Sequence, residues 1–137
     1  MIRQYGVLAY DIIEGELRLL LITSRETKRW VIPRGNPIAG LLPHHSAAQE
    51  AWEEAGVVGR LGETEIGTYR YEKRRRDGST VPANVHVYPL HVTEQRSEWP
   101  EQGQRQTRWF TREEAVAAVH EPGLKALIQA FAPERAA

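Results

Sequence analysis

A mixed β-sheet covered by helices on two faces is the fold class that the sequence predicts, an α/β sandwich built as one domain over residues 1–137. Three observations lead there. Several short apolar runs are bounded by turn residues, one helical pattern interrupts them, and two more helical patterns close the chain. No repeat or low-complexity stretch divides the 137 residues. The chain has 18 Lys and Arg against 18 Asp and Glu and no cysteine, which excludes a disulfide scaffold and a partner recruited by overall charge. Nucleic acid is therefore disfavoured as a partner, and no apolar run has the length a bilayer demands. The N-terminus lacks the order of a signal peptide, so the expected location is the cytoplasm, as a monomer or a homodimer.

Each element follows from its residues. Tyr5 to Ile13 and Leu17 to Thr23 flank the turn signal Glu14-Gly15-Glu16 and read as two antiparallel strands. Trp30 to Ile32 reads as a short third strand. Pro33, Gly35, Pro37, Gly40 and Pro43 then punctuate the chain so densely that no regular structure is expected among them. From Pro43 to Ala55 the residues Ala47, Ala48, Ala51, Trp52 and Ala55 recur at helical spacing, and Gly56 stands where a C-terminal cap belongs. Val57 to Leu61 and Ile66 to Glu72 read as extended, with Asp77-Gly78 as a hairpin turn. Val81 to Val92 is apolar on both faces and hence central, although Pro89 removes a ladder donor and calls for a bulge or a local edge. Thr111-Arg-Glu-Glu114 has the pattern of a capping box, and a last helix from Pro122 to Phe131 carries Leu124, Leu127, Ile128 and Phe131 on one stripe.

Glu50, Glu53 and Glu54 occupy relative positions 0, 3 and 4 of the first helix and so share a face. Like charges at these spacings cost an isolated helix roughly 0.2 to 0.5 kcal/mol per pair, so either water solvates them or a cation compensates. A hard divalent ion is the natural candidate, because Mg2+ takes oxygen ligands and prefers one or two carboxylates together with a substrate phosphate.

The stretch Gly35 to Val57 resembles the box of the Nudix hydrolase family, Gly-x5-Glu-x7-Arg-Glu-U-x-Glu-Glu-x-Gly-U with U bulky and apolar. Gly35, Glu50, Glu53, Glu54, Gly56 and Val57 match at the proper separations. The approach Lys28-Arg29-Trp30-Val31-Ile32-Pro33-Arg34 is similar to that of the diphosphoinositol polyphosphate and dinucleoside polyphosphate branch. The resemblance implies a Nudix-type α/β/α sandwich and hydrolysis of a phosphoanhydride in a nucleoside or inositol polyphosphate. It implies Mg2+, or Mn2+ in its place, on Glu50, Glu53 and Glu54 and the carbonyl of Gly35, with Glu50 as base. The base comes from a later loop in some relatives, which brings in Glu98 or Glu101. Two positions depart from the pattern. Leu41 holds the slot of the first Glu, and Gln49 that of the Arg, where it can donate hydrogen bonds but supplies no cation. These departures leave a second reading, a catalytically weakened module that binds or senses nucleotides.

Two groups of cations accompany the box. Lys28, Arg29 and Arg34 precede the loop, and Arg70, Lys73, Arg74, Arg75 and Arg76 cluster at the Asp77-Gly78 turn. Converging on one cleft, they would hold the phosphates of an extended small-molecule substrate; apart, they would be a solvated hairpin tip. Arg34 is the strongest substrate candidate because Gly35 follows it. Trp99, in a polar loop beside Pro100, is the candidate for a mobile lid, and His86 on the central strand reads as structural.

Overall fold

The computed structural model describes residues 1–133. Its strands run β1 (Ile2–Ile13), β2 (Glu16–Thr23), β3 (Trp30–Val31), β4 (Arg34–Gly35), β5 (Val57–Leu61), β6 (Gly67–Arg74), β7 (Thr80–Gln95) and β8 (Thr107–Thr111). The helices are α1 (Pro43–Ala55), α2 (Arg112–Ala118) and α3 (Pro122–Ala130). All the strands belong to one mixed sheet with the path β3-β2-β1-β7-β5; β4 pairs with β1, β6 with β7 and β8 with β2. Only the β1–β7 ladder is parallel among those described, running from Ile2 opposite Ala83 to Tyr10 opposite His91.

Strand alternation divides the interior in two. Val7 and Ala9 of β1 face α1, where they pack with Leu20, Ile22, Ala47, Ala51, Ala55 and Leu90. Leu8 and Tyr10 face the other side, with Leu19, Leu21, Val85, Val87, Phe110, Leu124 and Ile128 beneath α2 and α3. The α/β/α sandwich follows from these two apolar faces, each of which must be covered.

α1 has the predicted bounds. Pro43 occupies its first turn, and Gly56 ends it in the left-handed conformation at φ 70°, its N–H bonded to the carbonyl of Trp52 at 3.0 Å. The buried Ser46 hydroxyl accepts the N–H of Ile38 at 3.0 Å, pinning the preceding loop to the helix. At α2 the capping box is complete: Thr111 Oγ1 accepts from the Glu114 N–H, and the Glu114 carboxylate accepts from the Thr111 N–H.

Three sequence expectations are corrected. Arg34–Gly35, inside the stretch expected to be irregular, forms β4 opposite Tyr5 and Gly6, because Pro and Gly around it do not remove the donors and acceptors of these two residues. Thr107–Thr111 is a strand that the sequence reading passed over. Trp99 is no free lid: its indole lies over Gly56, so close that a Cβ built there would fall 2.5 Å from the ring. Pro89 does lie at a local edge. β6 leaves β7 at Val87 and β5 joins it at Leu90, so the missing donor of Pro89 falls at the gap between two partners.

Candidate active site

A cleft of about 600 Å³ opens where β4 meets α1. Its floor carries Gly35, Glu50 and Glu54; one wall carries Arg25 and Arg29, another Lys73 and Arg74 from the β6–β7 hairpin, and a third Glu101 and Arg105 from the loop before β8. Helical spacing puts Glu50 and Glu54 one turn apart on the face that β4 covers. The Glu50 carboxylate lies directly against Gly35: a Cβ built there would come within 2.6 Å of both carboxylate oxygens. Glycine is therefore required at this position to admit the acid.

Glu54 is 5% exposed and its carboxyl lies within hydrogen-bonding reach of Glu50. Burial pushes both carboxyls above their ordinary range, and their mutual proximity adds to the effect on Glu54. The Arg105 guanidinium opposes the rise from 3.6 Å. Arg105 also pairs with Glu101 at 2.8 Å, and its Nε is buried without a hydrogen-bond partner among the described residues.

Glu53 points elsewhere on the turn. Its carboxylate accepts from Gln49 Nε2 at 3.2 Å, and it is absent from the cleft lining, although its charge still raises Glu50. Among the described residues no three acidic or histidine side chains form a ready-made metal cage. Mg2+ needs none, since it keeps several waters and takes one or two carboxylates with substrate oxygens. The Glu50–Glu54 pair beside Gly35 is a donor set of that kind.

Of the cations singled out from the sequence, Arg29, Arg34, Lys73 and Arg74 reach the cleft, whereas Lys28, Arg70 and Arg75 are not part of its lining. Arg70 instead sits 3.6 Å from Glu72 on the surface. Arg34 is already engaged. It pairs with Glu121 at 2.8 Å, donates to Tyr69 Oη at 2.7 Å and lies 3.6 Å from the Tyr71 ring centroid, so that it braces the cleft wall from behind. Glu101 lines the cleft and Glu98 does not.

Residues 2–131 match the model of the NUDIX domain. The chain belongs to the Nudix family. It is 31% identical over 118 residues to Nudix hydrolase 21, chloroplastic, of Arabidopsis thaliana, covering 85% of this chain and 58% of that protein. It is 32% identical over 108 residues to human diphosphoinositol polyphosphate phosphohydrolase 3-beta, covering 76% of this chain and 62% of the relative. The chain thus spans about three fifths of these two relatives. Among solved structures, the C. elegans Ap4A hydrolase binary complex superposes with a TM-score of 0.70 at 18% identity, covering 94% of this chain and 93% of that one, a likeness of fold.

Sequence reasoning about this Nudix domain missed several cleft residues. Tyr71 Oη donates to Gln4 Oε1 at 2.7 Å, and Gln4 Nε2 donates to Asn36 Oδ1 at 3.2 Å, a polar strip across the wall. Arg25, Arg105 and Glu121 were also passed over. Arg25 and Glu121 meet their partners through tertiary contact, and Arg105 has one local partner, Glu101, but reaches Glu54 only across the fold. Among the described residues no helix is long and apolar enough to cross a membrane.

Proposed function

We propose that this Nudix domain hydrolyses a phosphoanhydride bond in a nucleoside or inositol polyphosphate, using Mg2+ or Mn2+. The observation that carries the proposal is the Glu50–Glu54 carboxyl pair seated on Gly35 at the floor of a cleft whose walls present Arg29, Lys73 and Arg74. An acidic floor suits a divalent ion, and basic walls suit phosphates. The relatives named for diphosphoinositol polyphosphate and the Ap4A hydrolase likeness of fold support this substrate class.

Glu50 and Glu54, with the Gly35 carbonyl, would hold the ion, and Glu53 would contribute its charge from the adjoining face. When bound, the ion polarises the phosphate and lowers the pKa of a coordinated water. Glu50 accepts the proton of the attacking water, since Glu101 is taken up by Arg105. Arg29, Lys73 and Arg74 bind the flanking phosphates by charge-assisted hydrogen bonds; Lys28, Arg70 and Arg75 add long-range attraction only. Arg34 holds Tyr71 and Glu121 in place rather than meeting phosphate.

The test is turnover of diadenosine polyphosphates, diphosphoinositol polyphosphates and nucleoside diphosphate sugars, with and without Mg2+ or Mn2+. At least one substrate should be cut only with metal, and Glu50→Gln should lower kcat by about 100-fold or more, as expected for loss of a general base. Turnover unaffected by Glu50→Gln and by Glu54→Gln would refute the assignment. The second reading, a module that binds nucleotides without cutting them, draws on Gln49, which bonds Glu53 but brings no cation. It predicts saturable nucleotide binding with no turnover of any member of the panel.

A further inference from the structure

Arg105 stands out as a cation that neither the box nor the basic hairpin accounts for. It comes from the loop before β8 and meets α1 on the flank of Glu54, while Gln49 sits on the other flank against Glu53. Its side chain is 9% exposed. The guanidinium reaches Glu54 at 3.6 Å and Glu101 at 2.8 Å, and Nε is left buried without a partner. An ion pair selected for stability alone would satisfy that donor, because a buried unpaired N–H is costly. Glu50, Glu54 and Glu101 would otherwise form an acidic cluster with no counter-charge inside it, since Arg34 is spent on Glu121 and position 49 is neutral.

We propose that Arg105 is the fixed counter-charge of the carboxylate cluster, a positioning residue that holds Glu54 and Glu101 on one side and thereby sets how tightly Glu50 and Glu54 bind a divalent cation. The inference rests on the metal-binding part of the functional reading. A guanidinium beside the site repels an incoming divalent ion while holding the Glu54 and Glu101 carboxylates at fixed places around it. Removing it tightens ion binding and disorders the floor on which the reaction takes place.

The experiment compares parent, Arg105→Lys, Arg105→Gln and Arg105→Met. Mn2+ binding is followed by electron paramagnetic resonance without substrate, and hydrolysis is measured at saturating metal. Near-ultraviolet circular dichroism checks that each variant is folded. Loss of the charge in Gln and Met should lower the Mn2+ Kd by about five-fold or more, as expected for removing a unit charge a few ångströms from a divalent ion. Arg105→Lys keeps the charge and should stay within about two-fold of the parent. In the neutral variants kcat should fall by about ten-fold with KM little changed, because Arg105 orients carboxylates rather than substrate. An unchanged or weaker Mn2+ affinity in both neutral variants overturns the proposal, as does a lysine variant that binds Mn2+ like the glutamine one. A rise in KM as the main effect also overturns it, by making Arg105 a phosphate ligand. Absence of hydrolysis by the parent defeats the catalytic reading alone, since the Mn2+ comparison needs no turnover; absence of Mn2+ binding by all four proteins defeats both.

Discussion

Gly35→Ala separates the geometry of the site from the stability of the fold. The new Cβ would overlap the Glu50 carboxyl carbon and stand 2.5 and 2.6 Å from its two oxygens, where ordinary contact begins at 3.4 Å, so the carboxylate must retreat by about 1 Å. Glu50 is the far end of a flexible, half-exposed side chain, and Gly35 has no left-handed backbone to strain, so the retreat costs the fold little, about 1 kcal/mol or less. For the reaction it is costly. Displacing a catalytic group by about 1 Å lowers rates on the order of 100-fold, or about 2.7 kcal/mol in the barrier. Melting of the metal-free variant should therefore match the parent within a few degrees, while kcat on the best substrate falls by about two orders of magnitude. Gly40→Ala is the control, because Gly40 has φ 84° with nothing within 4 Å of a built Cβ: it should lower the melting temperature and spare kcat. The reasoning fails if Gly35→Ala retains parental kcat, or if its loss of activity is accompanied by a collapse in melting temperature.

Three further outcomes are expected. Thr111→Ala removes the reciprocal cap of α2 and should cost about 1 kcal/mol, seen as a melting temperature a few degrees lower with activity intact. Glu121→Gln leaves the Arg34 guanidinium buried without its carboxylate and should destabilise by about 3 kcal/mol in urea unfolding, several times the effect of Glu72→Gln on the exposed Arg70 pair. The third concerns pH. Burial raises Glu50 and Glu54 in the folded, metal-free protein, so between the ordinary carboxylate value and the raised one the folded state holds protons that the unfolded chain has released. Their contribution to stability is full below about 4.5 and is lost as pH rises through the raised values. The melting temperature in chelator should accordingly decline from mildly acidic to alkaline pH more steeply than in the Glu54→Gln variant; parallel curves would show that the carboxyls are not linked to folding.

Much of the fold was legible because punctuation and periodicity agree. Pro43 and Gly56 bracket α1 so sharply that both of its ends could be read, and Val57–Leu61 begins as soon as Gly56 turns the chain. The central strand was readable from its two apolar faces. β4 and β8 were not, since two residues carry no period, and Thr107–Thr111 is short and bordered by the polar segment Gln102 to Gln106. At the site, Glu50 and Glu54 were legible from helical spacing and Gly35 from its place in the box. The fate of Arg34 was not: its partner Glu121 lies 87 positions away, and adjacency to Gly35 says nothing about that meeting. The Arg105 contact with Glu54 and the Tyr71 contact with Gln4 escaped for the same reason.

Tyr5 lies between two partners, Gly35 of β4 on one side and His86 of β7 on the other. β7 in turn carries the hairpin that ends in Lys73 and Arg74, through an unbroken ladder from Gly67 opposite Val87 to Arg74 opposite Thr80. The acid seat and the basic tip are thus riveted to a common lattice whose spacing is fixed by backbone bonds. Between them the molecule carries a gauge, and under the proposed function lengthening that hairpin by a pair of residues would alter which phosphate chains span it while leaving the acid seat untouched.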